Sequence, residues 1–170
     1  LAAGSNPNDP TSLPVGGGLG DSREDWATTG TQGENNWNYG YRNFTTDGGG
    51  TNYDATSDFI EFPSDGFAHS ATEFWNGDKW DWFQGNEPWT EISQEGTHPN
   101  GTNNSDEHWT IRRWTATGLG GPTAVRFYWH TRETNNGGTG VTGSVHVNGV
   151  EVDSARKSCV EGKRGDAGGP

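Results

Sequence analysis

The sequence predicts an all-β fold, an antiparallel β-sandwich of jelly-roll type, and three observations carry that prediction. Apolar and aromatic residues recur at every second position in several short runs. At Trp37, Tyr39 and Tyr41, for example, three rings project from one face of a strand. Turn chemistry separates the runs, with Asn76-Gly77 and Asn148-Gly149 as the strongest hairpin signals. No stretch sustains a helical period.

Composition decides what such a sandwich is filled with. Hydrophobic residues make up only 27% of the 170, yet aromatics are 12%, including nine Trp, and Met is absent. Aliphatic side chains are too scarce to fill the interior, so rings must do so. This aromatic content is not that of a disordered chain, and the length suits one domain with a buried core.

In chain order, residues 1–20 read as an extended N-terminal arm or linker. Pro7, Pro10 and Pro14 break any helix there, and Gly16-Gly17-Gly18 closes the segment. Leu13 and Val15 are its period-two apolar pair. The sandwich module occupies residues 21–153. Trp26 heads a short strand before a polar turn over 28–33, and a strand follows over 37–44. A loop at 46–50 leads to a short strand at 58–62, closed by Pro63. Residues 73–75 and 79–83 flank the Asn76-Gly77 turn. Residues 89–92 form another brief strand, and 94–107 a long polar loop. Residues 108–115 are extended, with Trp109 and Ile111 on one face and Arg112 and Trp114 on the other.

Residues 124–132 have the cleanest alternation in the chain. Val125, Phe127 and Trp129 face one way; Arg126, Tyr128 and His130 face the other. Residues 145–152 form a hairpin around Asn148-Gly149. Residues 154–170 change character and read as a basic, Gly-rich tail, with four basic residues against two acidic ones and no strand alternation over 154–159.

The net charge of −12 opposes nucleic acid or anionic membrane as a partner, since both need a basic surface. It fits an extracellular protein, or sites for a hard cation. One cysteine, Cys159, excludes an intrachain disulfide and a cysteine-ligated metal cluster. No apolar run reaches the length of a membrane span. A start at Leu1 without Met fits a chain whose leader has been removed. Asn-x-Ser/Thr sequons stand at Asn43, Asn100 and Asn103.

Four motifs occur in order: Gln32-Gly33-Glu34-Asn35-Asn36-Trp37-Asn38-Tyr39-Gly40-Tyr41, His98-Pro99, Ile111-Arg112-Arg113-Trp114, and Val147-Asn148-Gly149-Val150-Glu151-Val152. Together they resemble a recurrent, carbohydrate-binding-like β-sandwich module of large secreted bacterial proteins, over residues 25–153. The resemblance implies a secreted or cell-surface location and a carbohydrate-binding role. Members of that family usually continue past the last hairpin with strands that close the sandwich; here the basic tail follows instead. An open sheet edge invites pairing with another chain. Donation of residues 1–20 by a neighbour would close it and generate a head-to-tail polymer.

Sugar binding needs exposed rings for the C–H faces and polar side chains for the hydroxyls. Trp75, Trp80, Trp82 and Trp89, with Asp81 and Gln84 among them, make the expected binding set. Arg112 joins it as a planar guanidinium suited to acidic sugars or to an internal ion pair. Trp37, Trp109, Phe127 and Trp129 are expected in the core. Asp47, Asp54, Asp58 and Asp106 are the loop oxygens available to a structural calcium ion.

A glycosidase needs two carboxyl groups about 5–10 Å apart, and Glu73, Asp81, Glu87 and Glu91 are the candidates. The histidines are scattered, and no nucleophile elbow, HExxH run or phosphate loop occurs. The expected function is therefore non-catalytic polysaccharide binding. The alternative is a structural subunit of an extracellular filament or surface layer, assembled by exchange of the N-terminal arm.

Overall fold

The computed structural model describes residues 19–50, 52–63, 74–82, 89–100, 106–134 and 140–157. The expected arm up to residue 18, Gln84, Glu73, Glu87 and the tail beyond residue 157 lie outside the described residues. The fold is all-β, with antiparallel pairing throughout. The chain divides into two compact units, Leu1–Thr123 and Ala124–Pro170, where the sequence suggested one module over 21–153.

The first unit contains two three-stranded sheets. β1 (Trp37–Asn43) lies between β2 (Ile60–Glu61) and β6 (His108–Trp114), and β4 (Thr90–Ile92) lies between β3 (Trp80–Trp82) and β5 (Thr97–His98). Jelly-roll connectivity is a finer feature than this strand order establishes. The β1–β6 register places Tyr39 opposite Arg112 and Arg42 opposite Trp109, so the two faces of the sheet carry different chemistry.

The inner face holds Trp37, Tyr39 and Tyr41, which pack into a core with Trp26, Phe62, Phe74, Trp75, Trp80 and Ile92. The Trp37, Tyr39, Tyr41 stripe thus belongs to the core. Trp80 stacks on Tyr39 at 6.0 Å and on Phe62 at 6.1 Å, and its ring lies 5.2 Å from Trp75. Rings bridge the two sheets, as the low aliphatic content requires.

The lead-in to β1 explains its own composition. Asn35 and Asn36 have φ of 53° and 66°, in the left-handed region that Asn tolerates better than other side-chain-bearing residues. The resulting turn aims Gln32 at the strand. Its amide nitrogen donates to the carbonyls of Tyr39 and Phe62, and its amide oxygen accepts from the Tyr39 N–H.

Two turns of identical construction flank the first sheet. In Asp21–Asp25 and again in Asp54–Asp58, the first aspartate accepts from the amides two and three residues on. The second aspartate accepts from the amide of the first. The next residue is aromatic each time, Trp26 or Phe59. Successive arginines of β6 grip the pair from opposite faces. Arg112 stacks on Trp26 and donates to the Ser22 carbonyl; Arg113 stacks on Phe59 and donates to the Ala55 carbonyl.

The second unit holds a hairpin, β7 (Val141–Val147) and β8 (Val150–Lys157), joined at Asn148-Gly149. Both turn residues have positive φ, as the two-residue hairpin turn demands. β8 runs into the region expected to lack strand structure, because ladder bonds to β7 use the backbone and need no side-chain alternation. Other expectations fail. Residues 124–132, expected as a strand, join no ladder among the described residues, and Trp26 lies outside any strand. Without a partner strand, Phe127 is 49% exposed and is not core. Trp109 is also not in the main core; it is 36% exposed on the outer face, stacked on Phe44.

Candidate functional site

The expected sugar-binding set does not assemble. Trp75 and Trp80 are buried, because with so few aliphatics these indoles are the core. Asp81 is also buried. It stands directly opposite Glu91, with the Lys79 ammonium 2.8 Å from Glu91 and 3.9 Å from Asp81. Trp82 is half-buried against Tyr41 and His108, and Trp89 is half-buried. The Arg112 guanidinium donates to the carbonyls of Ser22, Ser93, Gln94 and Gly96. It stitches the turn at 93–96 to the turn at 21–25.

The four candidate calcium ligands each meet groups of the chain itself. Asp47 and Asp58 face the guanidinium of Arg42. Asp54 caps its own turn, and the amides of Thr56 and Ser57 hold its pKa below the ordinary carboxylate value. Asp106 accepts from Asn43. Among the described residues, no three acids or histidines gather as a metal site.

His108 is a buried group the sequence did not single out. Its ring lies between Tyr41 and Trp82, each at 4.6 Å, and Nδ1 meets the Thr90 hydroxyl at 2.8 Å across the two sheets. Nε2 has no hydrogen-bond partner among the described residues. Burial disfavours the imidazolium and lowers the pKa. The unfolded chain then takes the proton first, so stability is full above the unfolded-state value of 6.5 and falls as pH drops below it. The expected slope is at most about 1.4 kcal/mol per pH unit. Urea unfolding between pH 7.5 and pH 5.5 checks this: the difference should shrink in His108→Asn, and an unchanged difference would count against it.

One concave site among the described residues lies wholly in the second unit. An open cleft of about 320 Å³ is lined by Phe127, Trp129, Val145, Val152 and Asp153. Each wall has a local cause. Phe127 and Trp129, two residues apart in the chain, both line the cleft. Trp129 packs over Gly143 of β7, where an added Cβ would stand 3.2 Å from the indole, so the missing side chain is what admits the ring. The indole N–H donates to the Asp153 carboxylate at 2.8 Å.

The hairpin supplies the rest. Neighbours in a regular strand face opposite sides, yet Val152 and Asp153 both line the cleft. The register breaks between Val145 and His146, leaving Val152 without an opposite partner, and this bulge re-aims the side chains. The cleft can hold a flat, partly apolar surface against rings and offer a carboxylate to a donor. The period-two pattern pointed at Phe127 and Trp129, but nothing in the sequence announces a bulge.

Comparison of the chain with protein-family models, curated proteins and solved structures gave no match. No helix among the described residues is long and apolar enough to cross a membrane.

Proposed function

We propose that the protein is a non-catalytic module that binds a segment of neutral polysaccharide in the Phe127–Trp129 cleft, in a secreted or cell-surface setting. The observation that carries this reading is the pair of accessible rings walling an open cleft. Sugar C–H faces pack on such rings, and the exposed Asp153 carboxylate has acceptor capacity beyond the indole bond it already accepts. The preference for a neutral glycan follows from charge. The chain carries −12, and Arg112, the cation considered for acidic sugars, spends its donors on backbone carbonyls.

Affinity electrophoresis against a panel of neutral polysaccharides tests the proposal. Retardation is expected with at least one glycan, and Phe127→Ala and Trp129→Ala should each weaken it about tenfold, as losing a base-stacking ring does in nucleic-acid grooves. Circular dichroism of both variants should match the parent. Retardation that survives the double variant would place the site elsewhere, and silence across the panel would remove the reading. A second reading, as an assembling subunit, is favoured by the outer edge of β8, which pairs with no strand among the described residues.

A further inference from the structure

We propose that Asn148 is a site of spontaneous deamidation, and that its isoaspartate product undoes the turn holding β7 and β8 in register. This goes beyond glycan binding and does not depend on it. In an Asn-Gly pair the Gly nitrogen can attack the Asn carboxamide carbon, since Gly has no side chain to block the approach. A bond forms from the Gly149 nitrogen to Asn148 Cγ. The Cγ–Nδ2 bond breaks, and ammonia leaves carrying the Gly149 amide proton. Water then opens the succinimide ring at either carbonyl, giving aspartate or isoaspartate. The net exchange is a water in and an ammonia out, with no other reactant.

Asn-Gly pairs occur at Asn76, Asn100, Asn136 and Asn148, and three of these asparagines are among the described residues. Their surroundings rank them. Asn100 is 1% exposed, and its Nδ2, the leaving group, donates to the Asp106 carbonyl at 3.0 Å. Asn76 is exposed, but its Oδ1 accepts from the amides of Asp78 and Lys79 at 3.1 and 3.0 Å, which fixes the carboxamide. A bridge between buried Trp75 and Trp80 closes that turn. Asn148 is exposed, and its carboxamide has no hydrogen-bond partner among the described residues. The ladder ends at Val147 opposite Val150, so the Gly149 nitrogen lies beyond it at the tip. Attack requires the tip to flex out of its turn conformation, with φ of 51° at Asn148 and 82° at Gly149. Among the described residues β7 and β8 form a two-stranded sheet, which is marginal in water, so such opening costs little. Isoaspartate routes the main chain through the side-chain carbon and lengthens a two-residue turn whose length sets the register. Val145, Val152 and Asp153 of the cleft then lose their alignment.

Tandem mass spectrometry after incubation of the full chain in mildly alkaline buffer tests the ranking site by site. Asn148 should convert about tenfold faster than Asn76 and Asn100, because local opening sets the rate. In urea the three rates should converge, since each is then an Asn-Gly pair in an open chain. Hydrogen exchange tests the consequence, in an Asn136→Gln background so that ion exchange isolates the Asn148 product. The deamidated fraction should lose protection over β7 and β8 while β1 keeps it. Asn148→Asp has the new charge on an ordinary main chain and should stay protected. Conversion at Asn148 no faster than at Asn76 or Asn100 in the folded chain would overturn the proposal. So would full protection in the deamidated fraction, equal loss in Asn148→Asp, or a parent hairpin with no protection to lose. A silent glycan panel leaves these results untouched, because that assay reads Phe127 and Trp129.

Discussion

Replacing Trp80 by Ala is expected to remove about 3–5 kcal/mol of stability, the usual cost of truncating a fully buried indole. The chain has about 5–15 kcal/mol to lose. The reason is position. Trp80 stacks on Tyr39 from the facing sheet and on Phe62, and it touches Trp75. Few aliphatic neighbours are available to collapse into the space. Urea denaturation of Trp80→Ala beside Trp129→Ala is the measurement. The first should lose about 3–5 kcal/mol. The second should change little, because that ring is half-exposed in the other unit. Equal, small losses would mean that the ring core is not what holds the first unit together.

Replacing Arg42 by Met should cost a comparable amount, about 3–5 kcal/mol, because it leaves partly buried charge without its partner. Arg42 is 1% exposed on the outer face of β1, beneath Phe44, Tyr53 and Trp109. Its guanidinium pairs with Asp47, lies 3.8 Å from Asp58 and donates to the Gly50 carbonyl at 2.9 Å. Without it, two carboxylates face each other and the loop over 44–59 loses its anchor. Thermal unfolding should fall by about 10 °C. Arg42→Lys should recover only part, since an ammonium cannot reproduce the planar fork. Full recovery by Lys would reduce the role of Arg42 to simple charge.

The two arginine systems mark the limit of what patterns convey. Alternation in 108–115 shows that Arg112 and Arg113 point to opposite faces, and they do. It does not show that each face carries an Asp-x-x-x-Asp-aromatic turn for the arginine to hold. That signal was present in the sequence, repeated at 21–26 and 54–59, but it becomes a structural statement only once β6 lies between the two turns. Asp54 and Asp58 were read as metal ligands for the same reason. An aspartate-rich loop is compatible with a cation of any kind, and in Asp47 and Asp58 the cation is a guanidinium of the chain itself.

The Trp residues divide the same way. Trp75 and Trp80 flank an Asn-Gly turn among polar residues, which resembles a binding surface in one dimension. They are buried because each turn-flanking pair must face something, and the facing sheet offers Tyr39 and Phe62. Phe127 and Trp129 have the cleanest alternation of all and looked like core. Their segment found no partner strand among the described residues, so the rings stand open.

By itself, the sequence determined the class of secondary structure, the two Asn-Gly hairpins, the face-sharing of Trp37, Tyr39 and Tyr41, and the need for a core built of rings. These follow from local rules, namely side-chain period, turn stereochemistry and composition. Only the tertiary structure decided which rings are sealed and which are open, and which acids meet an arginine. It also decided that a bulge brings Val152 and Asp153 to one cleft. Each of those outcomes depends on what a second strand or loop places opposite, and a residue's own neighbours in the chain carry no record of it.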